Sequence, residues 1–294
     1  MMKLLHCRRR IACAFLVCLA CLGAAVATDD DYAKVSVSQL IDDLTIIDSQ
    51  SPGINSSGIY EGFIAEDAFG SFHGGVLGVA TPRVSPQMRE LVRRGPAALP
   101  ELIKHLDDTR PTKVEVGNKG GMQVGVDVFA FSYFSNEYDP RLHHWFSEKE
   151  IKSGRALTDL MAKDFTGRYT VKVGDVCYVL IGQIVNRHLF AVRYQPSAGL
   201  VVNSPIEAPA LAEKVKSDWG TVDADMLKAS LLEDIRTTNR PKEISDAANA
   251  DRFVNPAMQR LRFYFPGTYN ALTGEDLKKK KEFEKQEAIA RKRN

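Results

Sequence analysis

Cysteine is nearly absent from the body of this chain. Four of its five cysteines (Cys7, Cys13, Cys18, Cys21) lie within the first 27 residues, and only Cys177 follows. If that leader is removed no internal disulfide can form, so the core alone must hold the fold. Long apolar runs are missing too. The uncharged stretch from Ile11 to Leu22 falls short of the ~20 residues that a bilayer core requires. Complete catalytic signatures are also lacking. His73-Gly74-Gly75 has the look of an esterase oxyanion loop, but the chain contains no Gly-x-Ser-x-Gly elbow to go with it. The glycines between Gly117 and Gly125 lack the Lys-Ser/Thr of a phosphate loop and precede a strand pattern, which argues against a nucleotide site. No basic stripe with interleaved aromatics crosses the body, so specific nucleic-acid binding is not expected.

What is present first is an export signal. Lys3, Arg8, Arg9 and Arg10 precede the apolar run, and Ala25-Val26-Ala27 gives a small-x-small cleavage site before Thr28. This layout predicts a signal peptide over residues 1–27, cleaved after Ala27, and a secreted or periplasmic protein without a transmembrane span. Lipidation at Cys21 and twin-arginine export are the weaker alternatives. Loss of the leader takes the formal charge from +2 to about −2. Residues 278–294 are basic, so the remaining body is acidic.

Periodicity makes the chain mainly helical. Leu40, Ile41, Leu44 and Ile47 predict a helix over residues 38–47, capped by Ser36 or Ser38. Residues 49–82, rich in Gly and Ser but carrying Tyr60, Phe63, Phe69 and Phe72, read as a long ordered insertion. Residues 85–94 and 96–108 read as two helices meeting at Gly95-Pro96, with Leu99, Leu102, Ile103 and Leu106 on one apolar face. The period changes over residues 113–134, where Val114 and Val116, a glycine turn, then Val124, Val126 and Val128 predict a β-hairpin. Helical patterning returns at residues 142–146 and 149–165. It is strongest at 173–187, where apolar residues nearly encircle the axis and Asp175 is the expected N-cap. Gly182 in that helix predicts another helix passing close. Leu231, Leu232, Ile235 and Arg240-Pro241 echo the pattern of Leu102, Ile103, Leu106 and Arg110-Pro111. Residues 256–265 form a last core helix, and residues 273–294 a charged, solvated helical tail.

The run from Leu91 to Asp108, with Gly-Pro-Ala-Ala-Leu-Pro-Glu-Leu at its centre, resembles a HEAT-type repeat. Together with Ala191-Val192-Arg193-Tyr194-Gln195-Pro196 and Asn203-Ser204-Pro205, the segment 173–187 resembles secreted bacterial proteins of planctomycete type that have HEAT-like helices and no assigned activity. The resemblance implies HEAT-like hairpins packed around a central helix, spanning residues 28–272 with the β-hairpin inserted. It also implies a binding or scaffolding role toward a protein partner, with no cofactor, and brings no catalytic residue. The alternative is a hydrolase acting on cell-envelope material, with carboxylates and His143 or His144 in its site.

The remaining polar candidates divide between chemistry and structure. His143 and His144 diverge by ~100° on a helix and cannot chelate one ion together; with Asp139 or Glu148 at helical spacing each could supply two ligands, and a metal site would need a third from elsewhere. Cys177 with His188 as base is the only thiol option. Its neighbours Val176, Tyr178 and Val179 predict burial and an inert thiol instead. Arg187, Arg193, Tyr194 and Gln195 crowd beside the most apolar helix, where they either line a groove or form an internal network capping it. The run Lys278, Lys279, Lys280 and Lys281 offers weak contact with an anionic surface.

Overall fold

A computed structural model describes residues 32–48, 63–66, 85–117, 164–165, 168–194, 200–236 and 253–293. These are mainly helical, with two small antiparallel sheets. Helix α1 (Val37–Asp42) runs into a 3-10 turn (Asp43–Ile46). Ser36 caps it by accepting the Gln39 N–H at 3.1 Å, and Leu40, Ile41, Leu44 and Ile47 are all buried. Helices α2 (Pro86–Arg94) and α3 (Leu99–Lys104) flank a 3-10 turn at Gly95–Ala97. Gly95 ends α2 with φ 51° and ψ −121°, a conformation that only glycine adopts without strain. The Gly-Pro corner therefore stands where the sequence places it. Leu99, Leu102 and Leu106 face the interior.

Helix α4 (Val173–Val185) is the centre of the molecule, and all thirteen of its residues are buried. It packs against α2, α3 and the strand that precedes it. Two details differ from the sequence reading. The N-cap is Lys172, and Asp175 stands at the third helical position, where its carboxylate accepts the Lys172 N–H at 2.8 Å in a capping box. Gly182 is crowded by the chain's own return rather than by another helix. A Cβ there would lie 2.6 Å from the Arg187 carbonyl oxygen and 2.8 Å from Leu189 Cβ. Asn186, with φ 59° in the left-handed region, makes that return possible.

The strands correct the sequence reading further. Strand β1 (Pro111–Gly117) pairs antiparallel with β3 (Arg168–Lys172), a remote partner, with a register irregularity between Pro111 and Glu115. The second arm expected at Val124–Val128 lies outside the described residues. Asp164–Phe165, placed at the end of a helix by periodicity, is strand β2. It joins β4 (Val192–Tyr194) and β5 (Leu200–Val202) in the sheet order β2-β5-β4. Segments this short carry too few alternations to register as strands, and their pairing supplies the missing order.

Helix α5 (Pro209–Trp219) touches α3, and α6 (Ala224–Arg236) packs on α4 and on α7 (Asn255–Tyr264). After the short α8 (Pro266–Asn270) comes α9 (Gly274–Arg293). The last helix is charged and mostly exposed, and one edge of it is docked on the body. Phe283 is 2% exposed, and Glu287 forms a bidentate ion pair with Arg262 of α7 at 2.5 and 3.0 Å. Among the described residues no helix is long and apolar enough to cross a membrane.

Candidate functional site

The Gly-Pro corner forms one wall of an open groove of about 780 Å³. Pro96, Ala97 and Pro100 come from the corner, residues 220–224 from the α5–α6 turn, and Phe263, Tyr264 and Phe265 from the end of α7. Successive helical positions point ~100° apart, so three aromatics in a row cannot all enter the core. That run before Pro266 is the sequence signal for the groove. The sequence reading missed it by taking residues 256–265 as a core helix, whereas Tyr264 and Phe265 are only partly buried.

The polar groups on the rim are engaged within the protein. Arg94 donates to Glu90 at 2.9 Å and to the carbonyls of Tyr32 and Ala33 at 3.1 and 3.2 Å. Arg93 Nε donates to the Ala65 carbonyl at 3.3 Å. The Tyr264 hydroxyl donates to the Val92 carbonyl at 2.5 Å, and the Asp223 carboxylate accepts the Met226 N–H at 2.8 Å at the start of α6. What the groove offers a ligand is a mixed surface, more apolar than polar, with the aromatics of α7 on one side. Behind these aromatics lies the buried Phe63, edge-on to Phe263 and Tyr264 at 5.4 and 5.6 Å and under the Arg260 guanidinium at 4.8 Å.

Of the residues singled out in the sequence, Arg187 is described in full. Arg187 turns inward: its Nη1 donates to Asp234 at 2.6 Å, its Nη2 to Ser230 at 3.2 Å, and its guanidinium lies 5.2 Å from the Trp219 ring. Asn186 donates to the same Asp234 carboxylate at 2.8 Å. Asp234 falls on the buried stripe of Leu227, Leu231 and Ile235, and a carboxylate on an apolar stripe was the available signal for this partner. Arg193 and Tyr194 belong to β4, and Gln195 lies outside the described residues, as do His73, His143 and His144.

Cys177 is fully buried, and burial pushes its thiol well above the ordinary range. The His188 ring packs at 5.8 Å from Phe190 and 5.6 Å from Phe253. Among the described residues no three His, Cys, Asp or Glu side chains gather as a metal site.

The lysine run is partly committed. Lys279 donates to the Ile235 carbonyl at 2.6 Å and Lys280 to the Tyr269 carbonyl at 3.2 Å, each satisfying a helix C-terminus. Lys278 pairs with Glu275 at 2.9 Å.

No family model, no curated protein and no solved structure matches this chain.

Proposed function

We propose that this protein is an exported binding or scaffolding module that holds a protein partner in the groove at its Gly95-Pro96 corner. In this reading α2 and α3 are a HEAT-like hairpin resting on α4, and the mature chain begins at Thr28. The observation that carries it is the groove itself. An aromatic, proline-edged surface whose rim charges are already satisfied suits contact with another protein's apolar side chains. The committed lysines of α9 favour this surface over the tail as the place of contact.

Site-specific photocrosslinking tests the proposal. A benzophenone side chain at the exposed Ala97 is expected to give a discrete protein adduct in the native envelope fraction, whereas one at the exposed Ile289 gives none. Thr221→Arg, at the exposed lip, blocks the groove and removes the adduct while leaving the circular dichroism spectrum unchanged. An adduct that survives Thr221→Arg, or labels both positions alike, rules out the groove. N-terminal sequencing of the exported protein checks the leader separately, with Thr28 the expected first residue.

A further inference from the structure

Asp175 is completely buried where three pieces of chain meet. From β3, the Tyr169 hydroxyl and the Lys172 N–H donate to its Oδ2 at 2.7 and 2.8 Å. From the turn after β5, the Ser204 hydroxyl donates to its Oδ1. Ser204 Oγ in turn accepts the N–H groups of Ile206 and Glu207 at 3.0 and 3.3 Å, and its carbonyl accepts the Ala208 N–H at 3.0 Å. A continuous hydrogen-bonded path thus links the first turn of α4 to the residues that start α5.

Among the described residues the three groups that donate to this carboxylate are two hydroxyls and an amide, with no cation among them. Among the described residues the charged and titratable groups around the cluster are Tyr169 and Lys172 of β3, Glu207 ahead of α5, Asp108 and Arg110 after α3, and Cys177 of α4. Arg110 is held by Asp108 and Asp42 at 2.6 and 2.7 Å. Neutral donors offset only part of the cost of burying a charge.

We propose that Asp175, Tyr169 and Ser204 form a proton-operated latch fastening the start of α5 to the start of α4, tight when the carboxyl is protonated and looser when it is ionised. The latch stands independently of the groove reading. Burial raises the Asp175 carboxyl to about 6 against the hydrogen bonds from Ser204, the Lys172 amide and Tyr169. Its value in an opened chain is ~3.9. Between those values the closed form holds more protons than the open one, so rising pH weakens the latch through this window. Two hydroxyls can reverse their donor and acceptor roles as the proton arrives, so protonation need not break the cluster.

The test is hydrogen exchange at the Ile206 and Glu207 amides in the full chain, corrected for intrinsic rates, from pH 5 to pH 7. The opening constant is expected to be roughly tenfold smaller at pH 5 than at pH 7. Asp175→Asn removes that dependence. Tyr169→Phe, which deletes one donor to the anion, moves the midpoint to higher pH. The His105–Asp108 pair, at 3.1 Å, is a second ionisable element, and His105→Gln is expected to leave the dependence intact. A flat wild-type profile, dependence surviving in Asp175→Asn, or loss of it in His105→Gln overturns the latch. If Asp175→Asn does not fold, Tyr169→Phe decides the matter, and an unmoved midpoint overturns it.

Discussion

Gly95→Ala tests the corner on which the groove depends. Gly95 has φ 51°, and an alanine Cβ there would stand 2.5 Å from Tyr264 Cε1 and 2.9 Å from Cδ1 and Cζ. The ring has little freedom to yield. Its hydroxyl is bonded to the Val92 carbonyl, and its faces and edges meet Phe63 and Phe263 at 5.6 and 5.3 Å. The backbone conformation costs a side-chain-bearing residue ~1–3 kcal/mol, and overpacking against a fixed ring adds ~1–3 kcal/mol. The sum, about 4 kcal/mol, is a large share of the ~5–15 kcal/mol that usually holds a domain together. For a chain of this size it corresponds to a fall in Tm of roughly 10 °C. Urea denaturation of Gly95→Ala, Tyr264→Leu and the double variant separates the two parts. Shortening Tyr264 relieves the steric part in the double variant and leaves the backbone part. A loss below about 1 kcal/mol for Gly95→Ala, or strict additivity in the cycle, refutes the reasoning.

Two further outcomes follow from close contacts elsewhere. Gly182→Ala raises helix propensity by ~1 kcal/mol, yet its Cβ meets a backbone carbonyl at 2.6 Å. The net result in thermal denaturation is expected to be a loss of about 2 kcal/mol, and a stabilised variant contradicts the described path of residues 187–189. Asp234→Ala withdraws the carboxylate from Arg187, whose side chain is only 10% exposed, and is expected to cost ~3–5 kcal/mol in urea denaturation. Converting both partners to apolar residues, as in Arg187→Met with Asp234→Leu, recovers at least half of that loss if the buried charge is its source.

The parts of the fold legible in the sequence are those whose order repeats every three or four residues. Leu40, Ile41 and Leu44 announce α1, Leu99, Leu102 and Leu106 announce α3, and the apolar belt of 173–185 announces a helix buried on all sides. Gly95-Pro96 was readable because a turn that departs from helical geometry requires those residue types. The strands were not readable: β2, β4 and β5 span two or three residues each, and what makes them strands is one another. The groove was partly readable, since Phe263-Tyr264-Phe265 oversupplies aromatics to one helix end. That the turn at 220–224 stands opposite is a matter of how α5 and α6 pack.

Local chemistry in the chain therefore determined the helical segments, the Gly-Pro corner and the burial of Cys177 in an apolar helix, because each depends on near neighbours. Tertiary packing alone decided that the Asp175 carboxylate is buried against Ser204. It also brought Asp234 to Arg187 and set the C-terminal helix down on Phe283 and Glu287. These contacts join residues up to about 50 positions apart. A buried charge or hydroxyl takes whichever partner the folded backbone presents, and linear spacing carries no record of that choice.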